Sequence, residues 1–149
     1  MRRVFQTRDL YSLTIIRVLL GFVFLAHGCQ KMLGWFGGAG FSRTMAGFTR
    51  SGIPTVLAFL AICAEFFGGL GLLLGFLGRI AAFGVMCNMI VAVATQHWRN
   101  GFFMNWTGRQ KGEGFEFHLL AIGICLAILV AGSGALSLDR LVSRGQAPT

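Results

Sequence analysis

The chain has 149 residues, of which 55% are hydrophobic and only 12% are charged, and its mean hydropathy is +0.71. This composition excludes an ordinary soluble domain, in which about 25% of the residues are charged. The net charge of +8 does not indicate nucleic acid, because the thirteen basic residues stand singly between apolar runs and form no basic stripe. We therefore predict no nucleic-acid partner and a lipid bilayer as the environment of the chain.

The first apolar segment covers residues 13–33 and follows three arginines, a pattern that resembles a secretory signal peptide. However, the segment is long, and it ends in His27, Gln30 and Lys31 instead of the small residues of a cleavage site. We interpret it as a retained membrane helix.

Three further apolar segments follow, at residues 54–77, 80–98 and 117–135. Each approaches the roughly 20 residues that cross a hydrocarbon core about 30 Å thick. Only two residues separate the second segment from the third, so these two must form a tight antiparallel hairpin. The sequence thus predicts an all-α fold, an integral membrane antiparallel four-helix bundle that forms one domain over residues 1–149.

The two long connections, residues 34–53 and 98–116, are rich in aromatic residues and glycine. In the first, Phe41, Met45 and Phe48 recur at the spacing of an amphipathic turn. We expect both connections to lie in the headgroup layer as interfacial loops. Simple anchoring by an aromatic belt is the interpretation that the composition favours.

An even number of spans places both termini on one side of the membrane. The lysine and arginine counts of the two sides are tied at six each, so the positive-inside rule does not decide the orientation. The early N-terminal arginines and Arg79 in the hairpin favour cytoplasmic termini. We predict a multi-pass protein of a bacterial-type inner membrane.

The four cysteines fall one per apolar segment and show no metal-binding spacing. Cysteine is an ordinary small apolar residue in such helices, so we predict no metal site. A redox thiol pair formed between two helices is the alternative.

Glu65 lies in the middle of the second apolar segment, where a charge costs about 2.5–3.5 kcal/mol on insertion scales. It cannot reach the surface, because eleven residues after Pro54 correspond to a depth of about 16 Å. Such a residue needs protein neighbours, a partner or a function. A structural ion pair and a proton-transfer role are both compatible with the sequence.

Helical geometry predicts that polar residues of all four segments surround Glu65 in one funnel. Those at the end with the long connections are His27, Lys31, His97, Asn100, Glu116 and His118. Arg17 lies deeper, and its long side chain is expected to reach toward Glu65. Taken singly, each histidine is more simply a hydrogen-bonded interfacial residue, and Lys31 a snorkelling side chain. Asn88 is placed on the helix face opposite His97 and interpreted as an interhelical hydrogen-bond partner.

Seven short motifs carry a resemblance to a known family, over residues 10–142. They are RVLLG at 17–21, HGCQKMLGWFGG at 27–38, AEFFGG at 64–69, GR at 78–79, HWRNGFF at 97–103, GFEF at 114–117 and LSLDR at 136–140. In their order and spacing the chain resembles the DoxX family of small four-helix membrane proteins. The resemblance implies membrane redox systems: a subunit of a thiosulfate:quinone oxidoreductase, or complexes joining superoxide detoxification with thiol metabolism.

The residues that match the family motifs form the candidate site. Proton-transferring, catalytic roles are assigned to Glu65, His97 and Glu116. Binding of a quinone or a small anionic sulfur compound is assigned to Arg17, His27, Gln30, Lys31 and Asn100. His118 lies outside the seven matching motifs.

Three other functions compete with a quinone-linked redox subunit. A b-type haem protein would use two of the three histidines as axial ligands, which their position near one interface disfavours. A non-enzymatic scaffold or accessory subunit would use the polar cluster to hold the bundle together and would bind membrane or peripheral protein partners. Transport is disfavoured because no inverted repeat or broken span is visible. The sequence does not identify the cofactor, and a quinone is the candidate.

Overall fold

The computed structural model describes residues 5–144, and this part of the chain is all-helical, without any strand. The α-helices are α1 (Tyr11–Met32), α2 (Gly40–Arg50), α3 (Thr55–Leu74), α4 (Gly78–Ala92), α5 (Glu116–Ala131) and α6 (Leu138–Arg144). Helix α4 continues through a π-helical segment, Val93–His97, into a 3-10 turn, Trp98–Asn100. The predicted all-α class is confirmed for the described residues.

Three of these helices are long and apolar enough to cross a membrane: α1, α3 and the continuous helix Gly78–Asn100. Helix α5 is equally apolar but has 16 residues. It ends at Ala131, four residues before the end of the predicted segment, because Gly132 has a φ of 88° and breaks the helix.

The four long helices share one hydrophobic core. Helix α1 packs on α3, α3 on α4, and α4 on α5, with further contacts between α1 and α5. The buried core residues are Leu20, Phe24, Leu72, Ala82, Val85, Met89, Ala121, Cys125 and Ile128. Many large apolar side chains point outward and are exposed, as on a surface that faces lipid.

Glycines let the backbones of α1 and α3 touch. A Cβ atom added to Gly28 would lie 2.5 Å from the Cα atom of Phe66, and one added to Gly69 would lie 2.4 Å from the amide nitrogen of Leu25. Small residues serve the same purpose in membrane helix pairs generally. The close approach brings the last turn of α1 beside the middle of α3.

Asp139 holds the turn between α3 and α4 at the opposite end of the molecule. Its carboxylate accepts hydrogen bonds from the backbone amides of Leu77, at 2.7 Å, and Gly78, at 2.9 Å. The hydroxyl of Ser133 donates a third at 2.6 Å. A buried carboxylate at a helix N-terminus is stabilised by the helix dipole, so this cap fixes where α4 begins.

Candidate functional site

Glu65 forms an ion pair with Lys31 in the interior of the helix assembly. The Lys31 Nζ atom lies 2.5 Å from each carboxylate oxygen. The Glu65 side chain is only 5% exposed, whereas that of Lys31 is 30% exposed. The pair forms because Gly28, one turn before Lys31, lets α1 lie against the backbone of Glu65.

Asn88 of α4 completes a three-residue cluster with this pair. Its side-chain amide donates a hydrogen bond of 2.9 Å to a carboxylate oxygen of Glu65. The interhelical hydrogen bond expected of Asn88 is therefore present, and its acceptor is the buried acid itself. Lys31, Glu65 and Asn88, hereafter the carboxylate cluster, join α1, α3 and α4.

The carboxylate cluster lies on the wall of a cavity of about 1130 Å³. Most of the lining is apolar and comes from α3 and α4. Leu60, Phe67 and Phe83 belong to this lining and are also exposed on the outer surface. The cavity therefore connects a buried charged group with the apolar exterior of the helices.

Two histidines contact each other at the same cavity, with their rings tilted by 41°. The ring centroids of His97 and His118 are 4.1 Å apart, and both residues line the cavity. The Nδ1 atom of His97 lies 2.8 Å from the backbone carbonyl oxygen of Glu113, which makes this nitrogen the donor. His118 is 6% exposed, and its Nδ1 atom has no hydrogen-bond partner among the described residues. Within the described part of the chain this nitrogen is therefore buried without a partner, and it is not open to the cavity.

The π-helical segment explains why His97 reaches the cavity together with Asn88. Spacing at 100° per residue predicts that these two side chains lie on opposite helix faces, yet both line the same cavity. The hydrogen bonds of a π-helix run to the fifth residue instead of the fourth, so each turn contains more residues. The side chains after Ala92 are rotated accordingly.

A porphyrin does not fit between His97 and His118, because their rings are in direct contact. Axial ligands must bind an iron from opposite sides of the macrocycle. This pair therefore does not form a bis-histidine haem site in the described conformation.

Arg17 does not reach Glu65, contrary to the expectation from its side-chain length. Its guanidinium group lies at the turn between α3 and α4, where it donates only to backbone carbonyl groups. The acceptors are those of Leu72, Leu73, Ser133 and Leu136. The carbonyl groups at a helix C-terminus carry partial negative charge, so a buried arginine finds its partners there and not at the acid.

The other predicted site residues divide into two groups. His27 is exposed and lines the cavity together with Lys31 and His97. Gln30, Asn100 and Glu116 instead hold backbone segments. Gln30 donates to the carbonyl of residue 36, and Asn100 to that of residue 113.

Glu116 accepts hydrogen bonds from the amide of Met104, at 2.9 Å, and from the indole of Trp106, at 3.2 Å. These bonds fasten the second long connection to the start of α5. Glu116 itself does not line the cavity. Its immediate neighbours Phe117 and His118 do.

The four cysteines are free thiols. Cys29 and Cys125 are buried, whereas Cys63 and Cys87 are half-buried and line the cavity. Within residues 5–144, no group of three or more histidine, cysteine or acidic side chains is placed to hold a metal ion.

Two bacterial chains are similar to this one over most of their length. "Putative oxidoreductase CatD" of Bacillus subtilis (strain 168) is 29% identical over 132 residues, which cover 89% of this chain and 87% of the relative. "Inner membrane protein YqjF" of Escherichia coli (strain K12) is 29% identical over 131 residues, covering 87% and 91%. No solved structure matches the chain.

The DoxX family model matches residues 12–98, which include α1 to α4 and therefore all three members of the carboxylate cluster. This match covers more than half of the sequence, so the chain belongs to the DoxX family and is a membrane protein.

Proposed function

We propose that the chain is a redox-associated subunit of a bacterial inner membrane that binds a quinone in the cavity beside the carboxylate cluster. The helices α1, α3, Gly78–Asn100 and α5 would cross the bilayer as one antiparallel four-helix domain, with both termini in the cytoplasm. The observation that carries the proposal is the position of a buried, charged, hydrogen-bonded cluster on the wall of a largely apolar cavity. Small-molecule sites commonly combine an apolar wall with a few polar groups in this way.

The cavity suits a ligand that arrives from the bilayer. Its wall includes the exposed apolar side chains of Leu60, Phe67 and Phe83, which face the hydrocarbon in the proposed orientation. A quinone is a flat, apolar ring dissolved in the membrane and carries a carbonyl oxygen on either side. A volume of about 1130 Å³ accommodates the ring together with part of its tail.

The polar groups match the two carbonyl oxygens. The Lys31 ammonium group has three donors and directs two of them at Glu65, which leaves one for the cavity. The side chains of His97 and His118 belong to the lining of the same cavity. In this arrangement Lys31 binds one quinone carbonyl, and the His97–His118 pair binds the other.

Reduction of a quinone to a quinol consumes two electrons and two protons. Glu65 and the two histidines are titratable groups on the cavity wall and would exchange the protons. The electrons would pass to or from a membrane or peripheral redox partner. The word "oxidoreductase" in the name of the Bacillus subtilis relative supports this assignment.

Binding of a short-tailed, fully ring-substituted benzoquinone to the purified chain in lipid nanodiscs tests the proposal. Loss of a hydrogen bond from a charged group costs about 1.5–3 kcal/mol, so Lys31→Met should weaken binding at least about tenfold. Lys111→Met is the matched control. It removes an exposed lysine that does not line the cavity and should keep the affinity within about twofold.

The double variant Lys31→Met with Glu65→Gln keeps the test valid if the single variant folds poorly, because it removes both charges together. It should fold and still bind weakly. Wild-type affinity in a folded double variant would refute quinone binding by this cluster.

A second function, a non-enzymatic accessory subunit, is favoured by one observation. The Glu65 carboxylate already accepts hydrogen bonds from Lys31 and Asn88, so the cluster can serve purely to hold three helices together. Under this alternative neither the wild type nor the double variant binds the quinone specifically. A native-size measurement in mild detergent would then reveal a stable complex with a partner.

A further inference from the structure

A second, smaller cavity lies at the end of the molecule opposite the carboxylate cluster. Its volume is about 360 Å³. It is an open depression on the surface, bordered by the N-terminal segment, the start of α4, the end of α5 and α6. Its polar and charged lining residues are Gln6, Thr7, Arg8, Arg79 and Ser143.

The charge that the described residues give this cavity is positive. Arg8 and Arg79 both line it, and no acidic residue does. All five acidic residues of the chain lie in the described part and are engaged elsewhere. Asp9 pairs with Arg140, Asp139 caps α4, Glu65 pairs with Lys31, and Glu113 and Glu116 hold the second connection.

The two arginines have different structural roles. The Arg79 guanidinium group is held in place by the backbone carbonyls of Leu129, Val130 and Gln6. Arg8 is exposed, and its side chain donates no hydrogen bond to any residue between 5 and 143. Arg79 is therefore a fixed part of the wall, whereas Arg8 is available to an external anion.

The rim of the cavity is apolar on the side of α5. Val130 is 74% exposed and lines the cavity, and Ala131 lies beside it. An anion with an apolar portion therefore fits better than a simple ion. The volume corresponds to roughly twelve water molecules at about 30 Å³ each, enough for a phosphate and its glycerol.

We propose that this cavity binds the phosphate group of an anionic phospholipid, with Arg8 as the principal donor and Val130 against the first carbons of the acyl chains. Basic pockets between membrane helices bind such head groups in other proteins. The inference is independent of the quinone proposal, because the two cavities share no lining residue.

Native mass spectrometry of the full chain, released from detergent in the presence of phosphatidylglycerol or phosphatidylcholine, tests this inference. One phosphatidylglycerol molecule should remain bound preferentially. Arg8→Gln should weaken its retention about fivefold, because one arginine near an anionic surface contributes about 1 kcal/mol. Arg43→Gln is the matched control, since Arg43 is an exposed arginine of α2 on the side of the long connections, and it should retain the lipid as the wild type does.

Equal retention of both lipids, or equal loss in the Arg8 and Arg43 variants, would overturn the proposal. Millimolar inorganic phosphate added as a competitor separates the two sources of the anion. If it displaces the phosphatidylglycerol fully, the site belongs to free phosphate, and the lipid assignment is wrong. If the lipid stays bound, its apolar portion contributes to binding as the Val130 rim predicts.

Discussion

A double-mutant cycle on Lys31 and Glu65 measures how much the buried carboxylate of Glu65 depends on its partner. Lys31→Met leaves a carboxylate that is 5% exposed with Asn88 as its remaining donor. Removing one partner of a buried ion pair costs about 3–5 kcal/mol, because the other charge stays buried. We expect Lys31→Met to lower the free energy of unfolding by an amount in this range.

Glu65→Gln should cost less, about 1–3 kcal/mol. The reason is the asymmetry of the pair: Lys31 is 30% exposed, so its ammonium group can turn toward the polar end of the cavity when the acid is neutralised. The double variant removes both charges, and the side-chain amide that replaces the carboxylate can still accept the hydrogen bond from Asn88. We therefore expect it to be more stable than Lys31→Met alone.

Unfolding in a mild detergent, titrated with a denaturing detergent and followed by tryptophan fluorescence, measures these differences. The coupling free energy is the deviation of the double variant from the sum of the single ones. A deviation below about 0.5 kcal/mol, or a Glu65→Gln variant less stable than Lys31→Met, would refute the burial argument.

Two further predictions concern the framework of the site. Gly28→Ala should destabilise the protein by about 1–3 kcal/mol in the same assay, because its Cβ atom would meet the backbone of α3. In the control Gly123→Ala, the added Cβ atom has nothing within 4 Å, so this variant should be neutral or slightly stabilising. Asp139→Asn should lower the free energy of unfolding by about 1–3 kcal/mol, because the buried cap on α4 is lost. The control Asp9→Asn breaks an exposed ion pair and should change the free energy of unfolding by less than about 1 kcal/mol. Equal effects within either pair would contradict the corresponding packing or capping argument.

The sequence alone predicts where the helices lie and that the central acid needs a partner, because hydropathy and the cost of burying a charge are local properties. Apolar length indicates α1, α3 and Gly78–Asn100 without knowledge of the neighbours. A carboxylate in the middle of such a run requires a partner, but the sequence does not identify which one. Depth places Lys31 in the layer above Glu65, and the close glycine contact between α1 and α3 is what brings the two side chains together.

Depth alone does not identify what a long cation binds. The expectation that Arg17 reaches Glu65 rests on burial and opposite charge, but helix ends supply equally strong acceptors. The carbonyl groups of Leu72 and Leu73, which accept from Arg17, lie at the end of α3. Sequence motifs do not reveal that competition, because every helix carries such carbonyl groups and only the packing decides which ones are reachable.

The site itself depends on a feature that periodicity cannot reveal. An uninterrupted α-helix would separate Asn88 from His97 by half a turn. The π-helical segment at Val93–His97 changes the phase after Ala92, so the titratable imidazole faces the same space as the carboxylate cluster. Such segments occur frequently at functional sites, since the irregular hydrogen bonding is retained where it positions a side chain. The irregular segment at the end of α4 therefore supports a functional interpretation of this cavity.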